Sequence, residues 1–340
     1  MSIFLNVFIK SLAFFLSILA IIVIISISVS FFTDRSNNFT TLYGDRDSSN
    51  IIAIIELNGL IFETSTDISN LTSPFIISPQ SIQENLDELN KINPKAIVFS
   101  INSPGGTVSA SKKLYDIIKN YKKDNKNTII FIHTNELLAS GGYWVATAAD
   151  GIYASYGSIT GSIGVKGPDW FFYDKPKSIS TGIFGNTIET VNGIKVFSSK
   201  AGESKDIFNS FRKPTKNELE HLQNMADRIY SDFIRIVSKE RKIEKKILEE
   251  EIGALIFTSQ HATELNLIDE ELNLEELINK IIKKNNFKDY KVIKIINAKN
   301  SLVREILTSQ FIKKDQYMKF ECLSLRSSMT ALLNYEATGC

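Results

Sequence analysis

The sequence predicts an α/β domain with a mainly parallel sheet, preceded by one N-terminal transmembrane helix. Two features of the chain lead to this prediction. β-Branched apolar runs of strand length alternate with amphipathic runs of helix length, as in strands that pair in parallel through helical crossovers. A long uncharged stretch precedes these runs. The predicted organisation is a signal-anchor segment at residues 1–33, a polar linker at 34–50, a globular domain at 51–290 and a tail at 291–340.

The uncharged stretch, residues 11–32, has the length and composition of a membrane span. It holds 22 residues, of which 15 are Leu, Ile, Val or Phe, and as a helix it can cross a bilayer. Its insertion is favourable by roughly 5 kcal/mol. Residues 28–30 (Ser-Val-Ser) also fit a signal-peptidase site, so a cleaved signal peptide is the alternative, although such an apolar core exceeds the usual signal-peptide length. Lys10 before the stretch favours a single-pass protein of the inner (plasma) membrane, with its globular domain on the extracytoplasmic side.

The first elements of the globular domain follow directly from its apolar runs. Three strands buried on both faces are predicted at residues 51–57, 96–101 and 128–133. Between the first two, Ser78 caps a helix with Pro79 in its first turn, and Pro94 closes the segment. A second helix is predicted after the Asn-Ser-Pro-Gly-Gly turn at residues 102–106.

The second half of the domain has a less regular pattern. Thr215 and Glu218 have capping-box spacing and predict the start of a long amphipathic helix. Residues 169–202 are aromatic, polar and punctuated by glycine, which predicts an irregular or hairpin-like segment. Short strands are predicted at 151–154, 158–165 and 255–258, and a helix at 260–268 with Asn266 as its left-handed stop.

The composition argues against several classes of protein. Lys and Arg number 39 against 38 Asp and Glu, so neither nucleic acid nor a polybasic lipid-binding role is expected. The two cysteines, Cys322 and Cys340, lie in the last twenty residues and cannot organise the main body through a disulfide framework. The three histidines have no metal-ligand spacing. We therefore expect no metal and no cofactor.

Two glycine-bearing turns stand at the ends of predicted strands, where ligands bind in open α/β sheets. In the first turn, Gly105 and Gly106 can expose backbone N–H groups to an oxyanion, although Pro-Gly-Gly also suits an ordinary strand-to-helix turn. In the second, Ser140 lies between Ala139 and a Gly-Gly pair where a helix begins. Small neighbours and the positive helix end suit a nucleophilic hydroxyl, whereas a bare N-cap is the alternative. The stretch is not the G-x-S-x-G elbow of the α/β-hydrolases.

A serine nucleophile needs a base, and the residues alone do not identify one. His133, His221 and His261 are interpreted as structural, because none has an evident carboxylate partner near a turn. A lysine can act as the base when burial keeps its amine neutral. Choosing one among the 39 basic residues is not possible from patterns alone.

Three ordered stretches resemble the signal peptide peptidase A (SppA) serine proteases, which are related to ClpP and the crotonases. They are Ile-Asn-Ser-Pro-Gly-Gly at 101–106, Ala-Ser-Gly-Gly-Tyr-Trp at 139–144 and Thr-Gly-Ser-Ile-Gly-Val at 160–165. A fourth, Ser-Lys-Asp-Ile at 204–207, resembles the lysine segment of the family. The resemblance extends over residues 51–269 and implies a ClpP/crotonase-like layered fold.

The resemblance also implies roles for individual residues. Ser140 corresponds to the nucleophile and Lys205 to its general base, with Lys200 as the nearest rival. Ser162 corresponds to the serine that holds the lysine amine in line. The implied oxyanion donors are the backbone N–H of Gly141 and those of the turn formed by Gly105 and Gly106.

The implied function is a membrane-anchored serine endopeptidase that cleaves hydrophobic peptides such as residual signal peptides. Members form rings or domes, so a homo-oligomer is expected, and the dyad need not form within one chain. Departures from the family pattern affect the expected substrate pocket: Ser100 replaces a common arginine, and residues 201–203 are Ala-Gly-Glu. The rival hypotheses are a catalytically silent scaffold of the same fold that binds membrane proteins, and a crotonase-like acyl-CoA enzyme.

Overall fold

The computed structural model describes residues 7–8, 10–21, 24, 39–63, 76–172 and 199–295. These residues contain twelve strands: β1 (Phe39–Gly44), β2 (Ile51–Asn58), β3 (Leu60–Ile61), β4 (Ile76–Ile77), β5 (Ala96–Asn102), β6 (Ile129–Thr134), β7 (Leu137–Ala139), β8 (Gly151–Ala154), β9 (Ile159–Gly161), β10 (Ile256–Thr258), β11 (Glu270–Glu271) and β12 (Lys291–Ile295). The helices that follow residue 63 are α1 (Pro79–Asn90), α2 (Val108–Asp124), α3 (Gly141–Ala146), α4 (Lys216–Arg241), α5 (Lys245–Ile247), a π-helix (Leu248–Ile252), α6 (Ser259–Glu264) and α7 (Leu274–Lys284).

The chain divides into two compact units. The first comprises residues 1–55, 85–97 and 285–340, and the second comprises residues 56–84 and 98–284. Every residue to which the sequence assigns a catalytic or oxyanion role belongs to the second unit.

The first unit contains the strand order β1-β12-β2. Strand β12 runs parallel to β2, whereas β1 pairs with β12 in the antiparallel direction. This finding differs from the predicted organisation, because β1 lies inside the segment predicted as a linker and β12 inside the stretch assigned to the tail. Only Phe39 and Thr41 of strand β1 are half-buried and its other residues are exposed, so the strand lacks the continuous buried run that identifies a strand in the sequence.

The second unit contains the order β5-β6-β8-β11, in which β8 pairs in parallel with both β6 and β11. The prediction of a mainly parallel sheet is therefore confirmed. Strand β5 is buried on both faces, since the consecutive residues Val98 and Phe99 are both fully buried. Each such side chain contributes about 1.5–3 kcal/mol of hydrophobic stabilisation.

A smaller sheet with the order β10-β9-β7 positions the candidate site. Strands β7 and β9 are parallel, and β9 pairs with β10 in the antiparallel direction. The sequence predicted β9 within residues 158–165, but the strand ends at Gly161, because Ser162 has a φ of 53° and the chain turns there. The three-residue strand β7 was not predicted.

Two helix termini agree with the sequence-based predictions. Helix α4 begins with the predicted capping box: Glu218 N–H donates to Thr215 Oγ1 (3.2 Å), and Thr215 N–H donates to Glu218 Oε2 (2.9 Å). Asn266, predicted as a left-handed stop, has a φ of 58°. Helix α6 ends at Glu264, before the predicted bound of residue 268.

The described N-terminal residues 10–21 are helical, and their large apolar side chains are exposed; Phe15, for example, is 65% exposed. Across the part of the chain that the structure describes, no helix has both the length and the apolar content needed to span a bilayer. The predicted span at residues 11–32 extends beyond the described residues, so the transmembrane helix stays a prediction.

Candidate active site

Ser140 lies at the junction between β7 and α3. Its backbone has φ 52° and ψ −122°, and its N–H donates to Gly161 O (2.9 Å). The Ser140 carbonyl accepts the Trp144 N–H (3.0 Å) and so begins the helix, but the hydroxyl makes no capping hydrogen bond. Ser140 thus occupies the N-cap position of α3 without a capping hydrogen bond from its side chain. Its hydroxyl is left available at a half-buried position.

Helix α3, which follows Ser140, is held by buried contacts. Tyr143 donates its hydroxyl to Leu267 O (2.7 Å), and burial raises the pKa of Tyr143 well above its usual value. Trp144 stacks on Phe233 of α4, with 4.5 Å between ring centroids. These contacts fix the first turn of α3, and with it the backbone N–H of Gly141, against the rest of the second unit.

The turn that contains Gly106 places its backbone N–H next to Gly141. Gly106 forms a parallel bridge with Ile61: Ile61 N–H donates to Gly105 O and Thr107 N–H to Ile61 O, both at 2.9 Å. In a parallel bridge the bridged residue directs its own N–H to the opposite side. A Cβ atom on Gly141 would lie 3.2 Å from Gly106 N, so these two glycines face each other.

Gly105 permits this close approach. It has a φ of 104°, and a Cβ atom there would lie 2.7 Å from Gly141 N and 2.9 Å from Ser140 Cβ. Its own N–H donates to the buried Ser103 Oγ (3.1 Å). Of the three predicted oxyanion donors, only those of Gly106 and Gly141 therefore lack an acceptor within the described residues.

Ser162 lies next to Ser140 because of the strand register. Ala139 pairs with Gly161 in the parallel β7–β9 ladder, so the residues that follow the two strands are neighbours. Ser162 N–H donates to Leu255 O (2.7 Å), which fixes the half-buried residue from its other side. The structure thus brings together Ser140, Ser162 and the two glycine N–H groups.

Lys205 makes no hydrogen bond to Ser140 or Ser162 among the described residues. It is exposed, and its amine forms no hydrogen bond or ion pair with any described residue. Its rival Lys200 is engaged elsewhere, because it donates to Asp206 Oδ1 (2.7 Å) and to Glu203 O (2.9 Å). The assignment of Lys205 as the base stays a prediction.

Asn102 is a site residue that the sequence analysis did not single out. Its side-chain oxygen accepts three hydrogen bonds at 3.0–3.1 Å, from Thr134 Oγ1, Asn135 N–H and Glu136 N–H. Its amide donates to Asn58 Oδ1 (3.1 Å). Asn102 thereby holds the β6–β7 turn that leads into Ser140. Its position directly before Ser-Pro-Gly-Gly was the available signal, since Asn commonly bonds to nearby backbone in turns.

The comparison with known families covers most of this site. Residues 121–288 match Peptidase family S49. The match includes Ser140, Ser162 and Lys205, while the Pro-Gly-Gly turn precedes it. Residues 121–288 of this chain therefore form a domain similar to peptidase family S49. The match supports the predicted SppA-type resemblance and the predicted class, a serine protease.

Three relatives of this chain illustrate the similarity. It is 33% identical over 197 residues to "Putative protease MJ0651" of Methanocaldococcus jannaschii, which is 58% of both chains. It is 28% identical over 268 residues to "Putative signal peptide peptidase SppA" of Enterococcus faecium, covering 77% of this chain and 72% of that protein. It is 29% identical over 231 residues to "Protease 4" of Haemophilus influenzae, covering 68% and 34%. The chain thus spans 58% and 34% of the length of two of these relatives.

Two of the three histidines, His133 and His261, make contacts that do not include Ser140. His133 is fully buried, with Nε2 3.1 Å from Leu272 O and Nδ1 without a partner among the described residues. Burial lowers its pKa, against a smaller opposing effect of the Leu272 carbonyl. His261 packs edge-on against Phe257. These environments agree with the structural interpretation of both residues.

Proposed function

We propose that this protein is a membrane-anchored serine endopeptidase in which Ser140 is the nucleophile and Lys205 the general base. The observation that carries this proposal is a pair of backbone N–H groups, those of Gly106 and Gly141, which have no acceptor among the described residues. They lie beside Ser140, whose hydroxyl makes no capping hydrogen bond to its helix. Attack on a peptide carbonyl creates an oxyanion, and two preorganised backbone donors are what such an intermediate requires. An acyl-enzyme forms and is then released by water.

The base is proposed to reach Ser140 only in an assembled state. A general base has to lie within hydrogen-bonding reach of the hydroxyl that it deprotonates. Lys205 is exposed in the protomer and makes no hydrogen bond to Ser140 among the described residues, so substrate or a neighbouring copy of the chain has to bring the two together. A homo-oligomer in which neighbouring chains help to complete each site meets this requirement. Ser162, which lies beside Ser140, is then placed to accept a hydrogen bond from the incoming amine.

Apolar peptides are the proposed substrates. Exposed apolar side chains flank the candidate site on both sides: Leu255, bonded to Ser162 through its carbonyl, is 62% exposed, and Val108 follows the glycine turn at 37% exposure. Phe62, 38% exposed, directly follows Ile61, the residue that is bridged to Gly106. An extended apolar segment, such as a residual signal peptide, covers these side chains when it binds as an added strand.

The N-terminal helix supports the proposed membrane anchoring. Its apolar side chains are exposed around its circumference: Phe14, Phe15, Leu16 and Leu19 are 56–65% exposed. A helix that is apolar on all sides is suited to lipid. We place the catalytic domain on the extracytoplasmic side of the inner (plasma) membrane, where the anchor raises the local concentration of membrane-derived peptides.

The test uses the full chain with a serine-directed acylating probe and an apolar peptide substrate. Ser140→Ala and Lys205→Ala should each lower kcat/KM on the order of 10⁴- to 10⁶-fold while the protein stays folded. Mass spectrometry of the labelled wild type should find the adduct on Ser140. Lys200→Ala is the matched control, and it should keep most of the activity.

Three outcomes contradict the proposal. Full activity of Ser140→Ala or Lys205→Ala would contradict the proposed Ser140–Lys205 dyad. Loss of activity in Lys200→Ala with retention in Lys205→Ala would make the rival lysine the base. A wild-type protein that never reacts with the probe, yet binds membrane proteins, would be a silent scaffold.

A further inference from the structure

Two carboxylates and one guanidinium form a compact cluster next to Lys205 in the sequence. Arg212 Nη2 donates to Asp206 Oδ1 (2.9 Å) and Arg212 Nε to Asp206 Oδ2 (3.0 Å). The same guanidinium donates to both oxygens of Glu218 (2.7 and 2.8 Å). Asp206, Arg212 and Glu218 are termed the Arg212 cluster. Two bidentate contacts on one guanidinium define its position more strongly than a single surface ion pair does.

The Arg212 cluster is attached to a rigid element. Glu218 is the third residue of α4, its side chain is only 4% exposed, and it completes the capping box with Thr215. Hydrogen bonds from Arg212, and next from the Thr215 backbone, lower the pKa of Glu218 to about 2, so this carboxylate is ionised at neutral pH. Arg212 is thus bound to a fixed anion at the start of a 26-residue helix.

The cluster restrains the residue that follows Lys205. Asp206 is bound by Arg212, and hydrogen bonds from Arg212 and next from Lys200 hold its pKa far below the usual range. Residues 201–208 form bends and turns with isolated backbone hydrogen bonds, such as that from Lys205 N–H to Gly202 O (3.3 Å). Lys205 itself is exposed beside the restrained Asp206.

The cluster also joins the Lys205 segment to the chain that follows Ser162. Arg212 lies over the Trp170 ring, 5.1 Å from its centroid, and Trp170 Nε1 donates to Asn209 O (3.2 Å). Trp170 also contacts Phe208, with 5.4 Å between centroids. Arg212 therefore lies where the segment that carries Lys205 meets the segment that carries Ser162.

We propose that Arg212 is a positioning residue, which holds Lys205 through Asp206 in the orientation that proton transfer from Ser140 requires. This inference rests on the proposed function. A purely structural role for Arg212, as an ion-pair partner at the start of α4, predicts lower stability and an unchanged reaction per folded molecule. A positioning role predicts a defect in the chemistry itself, because a displacement of about 1 Å at a reacting group costs about 100-fold in rate.

The experiment compares two Arg→Gln variants, one at Arg212 just before α4 and one at Arg235 on α4. Arg212→Gln removes the cluster, whereas Arg235→Gln removes an exposed i,i+3 pair with Asp232 on α4. For Arg212→Gln, normalised to folded protein, kcat/KM should fall about 100-fold, and the acidic limb of its pH profile should move to higher pH. Arg235→Gln should change neither. A wild-type pH profile and rate per folded molecule in Arg212→Gln would overturn the proposal.

A second variant keeps the proposal testable if Arg212→Gln does not fold. Asp206→Asn retains the Arg212–Glu218 pair and the capping box, and weakens the contacts that Arg212 and Lys200 make with residue 206. It should lower kcat/KM per folded molecule less than Arg212→Gln does, and a kcat/KM equal to that of wild type would contradict the proposal. Lys205→Ala separates the dyad hypothesis from the positioning hypothesis. An active Lys205→Ala variant would contradict the proposed dyad. An inactive Lys205→Ala variant, together with wild-type activity in Asp206→Asn, would contradict only the positioning role of Arg212.

Discussion

Ser140 has a backbone conformation that non-glycine residues rarely adopt, with φ 52° and ψ −122°. Such a conformation costs about 1–3 kcal/mol and persists only where surrounding contacts impose it. Here the contacts are the hydrogen bond to Gly161 O and the start of α3. With this backbone conformation the Ser140 hydroxyl does not cap α3, although Ser140 is the N-cap residue of that helix. The side chain therefore stays available for another contact.

The crowding around Gly105 leads to a prediction at one residue. Gly105→Ala adds a Cβ atom at 2.7 Å from Gly141 N as well as strain at φ 104°. Gly157→Ala is the matched control, because Gly157 has φ 81° and no atom within 4 Å of the added Cβ. We expect the control to lose about 1–2 kcal/mol of unfolding free energy from φ alone. Gly105→Ala should lose about 1–3 kcal/mol more.

Urea unfolding measures the stability of both glycine variants, and peptide hydrolysis measures their activity. Gly105→Ala should also lose most activity, because the added methyl group displaces Gly141 N, one of the two proposed oxyanion donors. Equal losses of stability in the two variants would show that the close approach of the turn to Ser140 has no energetic consequence.

The burial of His133 predicts a pH dependence of stability. Its pKa in the folded state lies below the unfolded value of about 6.5. The unfolded chain therefore binds the proton first as pH falls, so this residue stabilises the fold above pH 6.5 and the contribution is lost below it. In urea unfolding from pH 8 to 5, His133→Gln should lose less stability on acidification than wild type. Parallel curves for the two proteins would contradict the prediction.

At the scale of elements, the strands and helices that the sequence identified are those with a strong local signal. Strand β5 has seven residues of which six are buried, and helix α4 has both a capping box and an apolar face. The two-residue strands β3 and β4 and the three-residue β7 lack such a signal, because so few residues show no period. Yet β7 delivers Ser140, and β3 orients Gly106.

The capping box of α4 gives an element-scale prediction. Thr215→Ala removes the hydroxyl that accepts the Glu218 N–H and should lower the unfolding free energy by about 1 kcal/mol. Thr258→Ala is the matched control, since Thr258 precedes α6 as its N-cap residue but makes no capping hydrogen bond through its side chain. Thermal and urea unfolding of both variants test this difference. A loss in Thr258→Ala as large as that in Thr215→Ala would show that the capping bond is not its cause.

At the scale of the whole molecule, the proposed anchor predicts how the protein partitions. Insertion of the apolar stretch is favourable by roughly 5 kcal/mol, and two lysines near its centre cost about 5–7 kcal/mol. Replacement of Leu19 and Ile24 by Lys should therefore release the full chain from membranes in alkaline carbonate, whereas wild type stays with the pellet. Leu42→Lys, at an exposed position of β1, is the control and should not change partitioning. Wild type in the supernatant would contradict the anchor.

The sequence by itself determined the family, the parallel α/β class and the stretches that supply the site. Each of these depends on local patterns: continuous apolar runs for buried strands, glycines at strand ends, and ordered motifs at 101–106, 139–144 and 160–165. Local patterns suffice there because burial on both faces of a strand leaves its record in consecutive residues.

The tertiary structure alone decided which groups of the site are engaged. Pairing of β7 with β9 places Ser162 beside Ser140, and the bridge from Ile61 directs the Gly106 N–H toward Gly141. The Gly105 N–H donates its hydrogen bond to Ser103 Oγ. None of these facts follows from spacing in the chain, because a register or a hydrogen-bond partner is set by residues distant in sequence that folding brings together.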